Sequence, residues 1–230
     1  MMRIVTWNCR LSLRKKLPKL MSLQPDIAVI QECERDLLVP EGYEYRWRGD
    51  DARKGLGVLS RSGLTSDVCA SPEWTYFLPV YIPAKKLRVL AVWAFNHRAA
   101  RRFGPGRNGN ARAVIEALGE WLSQGRSIVI GDFNNSIKWD IRGNEYNFKT
   151  LDDVLRHLKF RSAYHAFAKQ AYGSETAQTY FHTKKESHPH HIDYCFVHES
   201  IAIERVEISD YSAWRSDSDH VPVVTDLLDV

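Results

Sequence analysis

Short apolar runs typical of β-strands recur along the whole chain, and few helical patterns lie between them. Several runs are almost entirely apolar, as strands covered on both faces must be. Residues 43–82 contain strand patterns but no helical pattern, whereas parallel neighbours need long crossovers that are usually helical. Many strand pairs are therefore expected to be antiparallel. The runs are RIVTWN, DIAVIQE, YEYRW, LGVLSR, FLPVYI, RVLAVWAF, SIVIGDF, HIDYCFV, IAIERVEI and VPVVTDL.

Three amphipathic segments predict helices. The clearest covers residues 110–125, where Val114, Leu118 and Leu122 share one face, Asn110 is a suitable cap and Gly125 ends the pattern. Weaker patterns cover residues 149–159 and 14–23. So many strand patterns, together with a few helical patterns, predict two packed sheets with helices outside them, which is an α/β sandwich. A length of 230 residues fits a single domain, 1–230.

Composition restricts the class of protein. Hydrophobic residues make up 44% and charged residues 26%, which is typical of a globular domain. The formal net charge is only +4, so attraction to a polyanion would depend on clustered charge. No segment approaches the roughly 18 apolar residues of a membrane span, and the N-terminus lacks a signal-peptide pattern. We therefore expect a cytoplasmic protein with no membrane partner, while its oligomeric state is left open.

Polar side chains stand at the ends of several apolar runs. Asp132 and Asn134 follow a run at 127–131, and a spacing of two in extended chain directs both to one face. An Asx-turn that merely closes the strand is the alternative. However, the pattern recurs, and burying so many unpaired polar groups by accident would be costly. The other sites are Asn8, Glu32, Asp193, Asp219 and His220.

A hard divalent cation would explain why carboxylates gather. Magnesium takes oxygen ligands, uses one or two carboxylates and keeps waters and substrate phosphate oxygens. Glu32 and Asp219 are the leading ligands. His220 could donate to a phosphate oxygen if Asp193 held its tautomer, as in hydrolase dyads.

These short motifs occur in an order that resembles a known superfamily. They are TWN at 6–8, QE at 31–32, GDFN at 131–134, HIDY at 191–194 and SDH at 218–220. Their order is similar to that of the endonuclease/exonuclease/phosphatase superfamily, which includes pancreatic deoxyribonuclease and the apurinic/apyrimidinic endonucleases. The resemblance spans nearly the whole chain.

The resemblance implies a four-layer α/β sandwich, with two packed mixed β-sheets flanked by helices and the site at one rim. It also implies phosphoester hydrolysis that depends on Mg²⁺ or Mn²⁺. By position, the implied roles are metal binding for Asn8, Glu32 and Asp219, water and phosphate orientation for Asp132 and Asn134, and transition-state stabilisation for Asp193 with His220.

Two positions depart from the pattern of the superfamily. Apurinic-type relatives have an aspartate two residues after the first asparagine, where this chain has Arg10, so a metal ligand is missing. Relatives also carry a tyrosine or histidine that touches the phosphate after a middle strand. Here that region offers Trp93, which we assign to the core, and Asn96, which we keep as a phosphate contact.

Basic and histidine-rich segments supply further candidates for substrate binding. The loop at 97–112 concentrates arginines, among them Arg101, Arg102 and Arg107, which could clamp a polyanion or form a solvated loop. His191 precedes the strand of Asp193 and could face the phosphate. Zinc binding by the HPHH segment is disfavoured, because zinc needs three or four ligands in rigid geometry.

The favoured function is that of a metal-dependent nuclease that cuts DNA. The first alternative is a phosphatase or phosphodiesterase acting on a small or lipid-headgroup phosphoester. The second is an interaction module that keeps the fold without the chemistry.

Overall fold

The structure is a computed structural model that describes residues 1–63, 65–66, 74–95 and 111–228. Two six-stranded sheets form its centre, in the orders β13-β14-β1-β2-β4-β3 and β5-β6-β7-β8-β12-β9, and β10 and β11 form a small third sheet. The strands are β1 (Met2–Asn8), β2 (Ile27–Cys33), β3 (Glu44–Asp51), β4 (Lys54–Ser60), β5 (Thr65–Ser66), β6 (Phe77–Ile82), β7 (Leu87–Trp93), β8 (Ser127–Asp132), β9 (Phe160–Ser162), β10 (Tyr180–Phe181), β11 (Pro189–His190), β12 (Asp193–His198), β13 (Ala202–Ile208) and β14 (Val223–Leu228).

The α-helices lie between these strands and on the outer faces of the sheets. The pattern at 110–125 forms two short helices, which meet at Leu118 because its backbone leaves the helical region at φ −93° and ψ 6°. The expected cap, Asn110, lies outside the described residues. The helices are α1 (Leu13–Met21), α2 (Ala111–Ala117), α3 (Gly119–Leu122), α4 (Phe148–His157), α5 (Ala163–Ala168) and α6 (Tyr211–Trp214).

Both large sheets are mixed, as expected. The pairs β1/β2 and β7/β8 are parallel. The segment between β1 and β2 contains α1, and the segment between β7 and β8 contains α2 and α3. The remaining neighbouring pairs are antiparallel. Helical crossovers thus occur where parallel pairing requires them.

Three buried apolar clusters hold four layers together. The central cluster joins the facing sides of the sheets and includes Val29, Val58, Val89 and Ile130. A second cluster packs α2, α3 and α4 on the outside of the second sheet, and a third packs α1 and α6 on the first. The fold is therefore the four-layer α/β sandwich that the sequence predicted.

The registers of two strand pairs place polar residues at one rim of the sandwich. The parallel pair β1/β2 ends with Asn8 opposite Gln31, and in the antiparallel pair β8/β12 Asp132 stands opposite Asp193. The amide Nδ2 of Asn8 donates across the sandwich to Asp132 Oδ2 at 3.0 Å. The two sheets therefore present their strand ends to a common site.

Candidate active site

Asp132 is the centre of a buried hydrogen-bond network. Its side chain is fully buried and accepts from Asn8 Nδ2 at 3.0 Å, from Asn134 Nδ2 at 3.0 Å and from the Asn134 backbone N–H at 2.8 Å. The last bond is the Asx-turn that the sequence left as the alternative. The turn and the convergence on Asn8 both exist, so the turn does not exclude a functional site.

Gly131 lets the chain enter this network. Its φ is +151°, and a Cβ atom there would lie 1.9 Å from the carbonyl oxygen of Val92. Only glycine permits so close an approach of β8 to β7. Asp132 is thereby fixed where the strand leaves the sheet.

Asp193 and His220 form a buried pair beside Asp132. His220 Nδ1 lies 2.9 Å and 3.2 Å from the two oxygens of Asp193, and His220 Nε2 lies 4.0 Å from Asp132 Oδ2. The Nδ1 side of the ring is held by Asp193, so Nε2 is left facing Asp132. An oxygen atom of a ligand between Nε2 and Asp132 would meet both groups.

Burial and charge together shift the pKa values of this cluster. Burial and the neighbouring carboxylate of Asp193 raise the pKa of Asp132, against the charge of His220 and the hydrogen bond from Asn8. Burial alone would lower the pKa of His220, but the carboxylates of Asp193 and Asp132 raise it to about 9. The neighbouring carboxylates therefore favour the protonated form of His220, and Asp132 is a stronger base than an ordinary aspartate.

The predictions did not include the side chains that hold this pair in position. Thr179 Oγ1 accepts the backbone N–H of Asp193 at 3.1 Å, the ring of Tyr180 lies 4.5 Å from that of His220, and Trp7 Nε1 donates to the His220 carbonyl at 3.1 Å. Threonine, tyrosine and tryptophan are common in strands, so no local signal distinguished them.

Glu32 and Asp219 are two more exposed carboxylates beside this cluster, since Asn8 bonds both Glu32 and Asp132 and Asp219 immediately precedes His220. Their side chains are 20% and 16% exposed, and each contacts a basic group. Lys54 Nζ lies 3.4 Å from Glu32 Oε2, and Arg10 Nε lies 3.8 Å from Asp219 Oδ2. A bulge in β2, with Glu32 at φ 57°, turns this carboxylate out of the strand pattern.

Two sets of donors could hold a divalent cation. Asp132, Asp193 and His220 offer ligand atoms within 4.8 Å of one another, but a metal there would disrupt the bond between Asp193 and a protonated imidazole. Glu32 and Asp219 supply the carboxylate oxygens that Mg²⁺ and Mn²⁺ prefer.

In the structure Asn8 contacts two carboxylates, and its role as a metal ligand stays a prediction. Its amide nitrogen faces the oxygens of Glu32 at 3.3 Å and Asp132 at 3.0 Å, and its oxygen accepts the Arg10 backbone N–H at 3.0 Å. These partners fix the amide orientation, and the second lone pair of the oxygen is left for a further ligand. Asn8 thus orients two carboxylates.

His191 does not lie at the site as predicted. It is 2% exposed, its Nδ1 lies 2.9 Å from the Ala177 carbonyl oxygen, and its ring packs against Tyr164 and Tyr194. Burial lowers its pKa to about 4. The ring therefore belongs to a buried aromatic layer. The other predicted substrate contacts, Asn96, Arg101, Arg102 and Arg107, lie outside the described residues.

A family profile matches this arrangement of fold and strand-end groups. The profile of the Endonuclease/Exonuclease/phosphatase family matches residues 5–220, and the chain belongs to that family, whose members hydrolyse phosphoester bonds. No curated protein sequence matches the chain significantly. Within the described residues, no helix is both long and apolar enough to span a membrane.

Solved structures share the fold over their whole length. A 3′ phosphatase (NExo) from Neisseria, bound to a product DNA hairpin, is 20% identical, with a TM-score of 0.76 and coverage of 98% of this chain and 99% of that chain. An AP endonuclease from Archaeoglobus fulgidus is 15% identical, with a TM-score of 0.75 and coverage of 99% and 100%. These identities establish a common architecture.

Proposed function

We propose that the chain is a phosphodiester hydrolase that depends on Mg²⁺ or Mn²⁺ and acts on DNA. One observation carries this proposal: buried Asp132 and the Asp193–His220 pair converge at the rim that also bears the carboxylates of Glu32 and Asp219. A base, a cation and metal ligands are the groups that attack of water on a phosphodiester requires.

Asp132 acts as the proton acceptor. Its raised pKa suits a general base near neutral pH. As the water oxygen bonds to phosphorus and the bond to the leaving oxygen breaks, the water proton passes to Asp132, and the leaving oxygen departs as an alkoxide that takes a proton from solvent. Asn134 donates to both oxygens of Asp132 and so fixes the direction in which the carboxylate receives the proton.

His220 stabilises the charge that develops on the phosphate. Its imidazolium is held by Asp193 through Nδ1, so that the Nε2 proton points toward the reacting group. A preorganised donor of this kind strengthens its bond as negative charge accumulates. Asp193 therefore acts by orienting His220.

Glu32 and Asp219 would hold the divalent cation, with Asn8 keeping the carboxylate of Glu32 in place. When bound, such an ion polarises a phosphoryl oxygen and balances its charge. The donor set is all oxygen, which suits Mg²⁺ and Mn²⁺ equally.

An aromatic row favours a nucleic acid over a small phosphoester. The Tyr180 ring lies 4.5 Å from His220 and 6.2 Å, nearly parallel, from His190, and His190 lies 4.9 Å from Trp139. Partly exposed rings in a row offer stacking surfaces for bases next to a scissile phosphate. The Neisseria structure described above contains a DNA hairpin, which supports DNA as the polymer.

A substrate panel tests this function. Plasmid, duplex and single-stranded oligonucleotides, a 3′-phosphorylated end, inositol phosphates and sphingomyelin would be incubated with Mg²⁺, Mn²⁺ or a chelator. We expect turnover of DNA with either metal and none with chelator, and loss of turnover in Asp132→Ala. Asp153→Asn, which alters an exposed carboxylate on α4, serves as the matched control.

Other outcomes would point to the alternatives. Turnover of inositol phosphates or sphingomyelin alone would identify a small-molecule phosphoesterase. A protein that turns over none of these substrates and does not bind Mn²⁺ in calorimetry would be a module without chemistry. Either result overturns the proposal.

We further propose that residues 1–230 act as one catalytic domain in the cytoplasm. The thiols of Cys9, Cys33 and Cys195 are free and buried, which suits a reducing compartment. Fractionation of cells that produce the protein would test its location.

A further inference from the structure

Two basic side chains at the rim have no part in the hydrolysis proposed above. Arg10 contacts Asp219, and Lys54 contacts Glu32. Both carboxylates are the ones assigned to the divalent cation. Each cationic side chain would therefore compete with that ion for one carboxylate.

The position of Arg10 is imposed by a strained loop. Arg10, Leu11 and Ser12 all have left-handed backbone conformations, with φ values of 51°, 67° and 55°, which non-glycine residues rarely adopt. Strain of this kind persists where the surroundings enforce it and is frequent at functional sites. The loop is also joined to the site, because the Arg10 N–H donates to Asn8 Oδ1 and the Leu11 N–H to the Glu32 carbonyl.

The ammonium group of Lys16 stabilises that loop. It donates to the carbonyl oxygens of Cys9 at 2.6 Å, Leu11 at 2.8 Å and Asp217 at 2.7 Å. Asp217 lies two residues before Asp219, so one ammonium group fixes both segments of the Arg10–Asp219 pair. The backbone on both sides of the pair is therefore held in place, although the Arg10 side chain is 48% exposed.

Lys54 is held in a similar way on the other side. Its ammonium group lies 5.1 Å from the ring centroid of Trp93 and 3.4 Å from Glu32. A cation–π contact keeps the charge near the rim without occupying its hydrogen-bond donors. Lys54 can thus change partners while it stays in place.

We propose that Arg10 and Lys54 are specificity-determining residues that exchange partners, binding phosphate oxygens of the substrate when a divalent cation takes Asp219 and Glu32. This inference rests on the proposed function. Two cations beside the metal carboxylates oppose metal binding by charge repulsion and favour a polyanionic substrate. Metal affinity and substrate affinity should therefore change in opposite directions when either charge is removed.

The test measures both affinities without turnover. Mn²⁺ binding to the substrate-free protein would be followed by calorimetry. Binding of a fluorescent oligonucleotide would be followed by anisotropy at saturating Mn²⁺, with Asp132→Ala in every protein to prevent cleavage. For Arg10→Gln and Lys54→Gln we expect Mn²⁺ binding to tighten about three- to tenfold and oligonucleotide binding to weaken by about the same factor. Arg10→Asp should tighten Mn²⁺ binding further, because it adds a carboxylate.

Matched controls separate this effect from a general change in charge. Arg205→Gln and Lys149→Gln remove cations of exposed ion pairs elsewhere on the surface, and both affinities should stay unchanged. Arg10→Lys, which retains the charge, should keep most of the oligonucleotide affinity. Unfolding temperatures of all variants confirm that they fold.

The result that overturns the inference differs from failure of the proposed function. If the wild type hydrolyses DNA with metal, but Arg10→Gln and Lys54→Gln leave Mn²⁺ affinity unchanged or weaker, the two side chains do not compete with the ion. If the wild type neither binds Mn²⁺ nor cleaves any substrate, the proposed function itself fails.

Discussion

The two halves of the site balance their charges in different ways. In the inner half, Asp132, Asp193 and His220 are at most 5% exposed and compensate one another through short contacts. In the outer half, Glu32 and Asp219 are partly exposed and are compensated by Lys54 and Arg10. The inner charges are thus buried against one another, while the outer charges lie nearer the surface, where we propose that they exchange partners.

The difference follows from where each half is anchored. Asp132 and Asp193 face each other across the ladder between β8 and β12, and a ladder allows little movement of its side chains. Glu32 stands at a bulge and Asp219 in a connecting segment. A rigid half suits proton transfer, which needs fixed distances, and an exchangeable half suits ions and substrate that come and go.

The largest effect should come from the inner half. Asp132→Ala and His220→Ala are each expected to lower kcat about 10³-fold, because proton transfer and charge stabilisation typically contribute 10²–10⁴-fold. The double variant should fall little further, since the groups act on one transition state. Single-turnover DNA cleavage measures this, and additive losses would show that the two groups act independently.

Gly131→Ala should test how tightly the inner half is built. A Cβ atom there would lie 1.9 Å from the Val92 carbonyl oxygen, so the strands must separate, at a cost of about 4 kcal/mol. Gly143→Ala is the control, because Gly143 also has a positive φ, +74°, but nothing lies within 4 Å of the added atom. It should cost only about 1–2 kcal/mol, which is the cost of a left-handed backbone for a residue with a Cβ atom. Urea unfolding compares them, and equal losses would indicate that the strands are free to move apart.

The strand-end residues could be predicted because polar groups in apolar runs are rare and costly. Asn8, Glu32, Asp132 and Asp193 each interrupt or end such a run, and the structure gathers all four at one rim. The layers could be predicted for a related reason, since helical patterns lie where parallel pairing needs them. Periodicity therefore identified the sandwich and the polar strand ends, and the resemblance of the motifs implied that they share one rim.

Contacts between distant segments could not be predicted. His191 and Asp193 are two residues apart, but β12 begins at Asp193, so strand alternation does not extend to His191 and its ring turns into the core. The direction of the Asn8 amide depends on the backbone N–H of Arg10. Lys54 reaches Glu32 because β4 pairs with β2, and no local pattern signals that contact.

Glu175 is a buried carboxylate outside the site. Like the charges of the inner half, its charge is compensated by neighbouring groups. Its side chain is 1% exposed; burial alone would raise its pKa, but bonds from His165 and the Gly173 N–H lower it to about 2. A depressed pKa stabilises the fold above the unfolded value of about 4.5, and this stability is lost as the pH falls toward 2. The contribution is up to about 3 kcal/mol.

Glu175→Gln should therefore destabilise the protein at pH 7, and its difference from the wild type should shrink as the pH falls from 5 to 3. Urea unfolding across that range measures the difference. Glu199→Gln, at an exposed ion pair with Lys159, is the control and should behave like the wild type. A difference that does not depend on pH would mean that Glu175 contributes through packing alone.

The smallest effect is expected in the outer half. Glu32→Gln keeps the shape of the side chain and its contact with Asn8 but removes a ligand charge, so Mn²⁺ binding should weaken at least about tenfold. The free energy of unfolding should change by less than about 1 kcal/mol, since a partly exposed ion pair contributes little to stability. Calorimetry and urea unfolding measure the two quantities, with Glu116→Gln on α2 as the exposed control. A large loss of stability with unchanged metal affinity would reverse the assignment, because Glu32 would then be a structural charge and the inner trio would have to hold the ion.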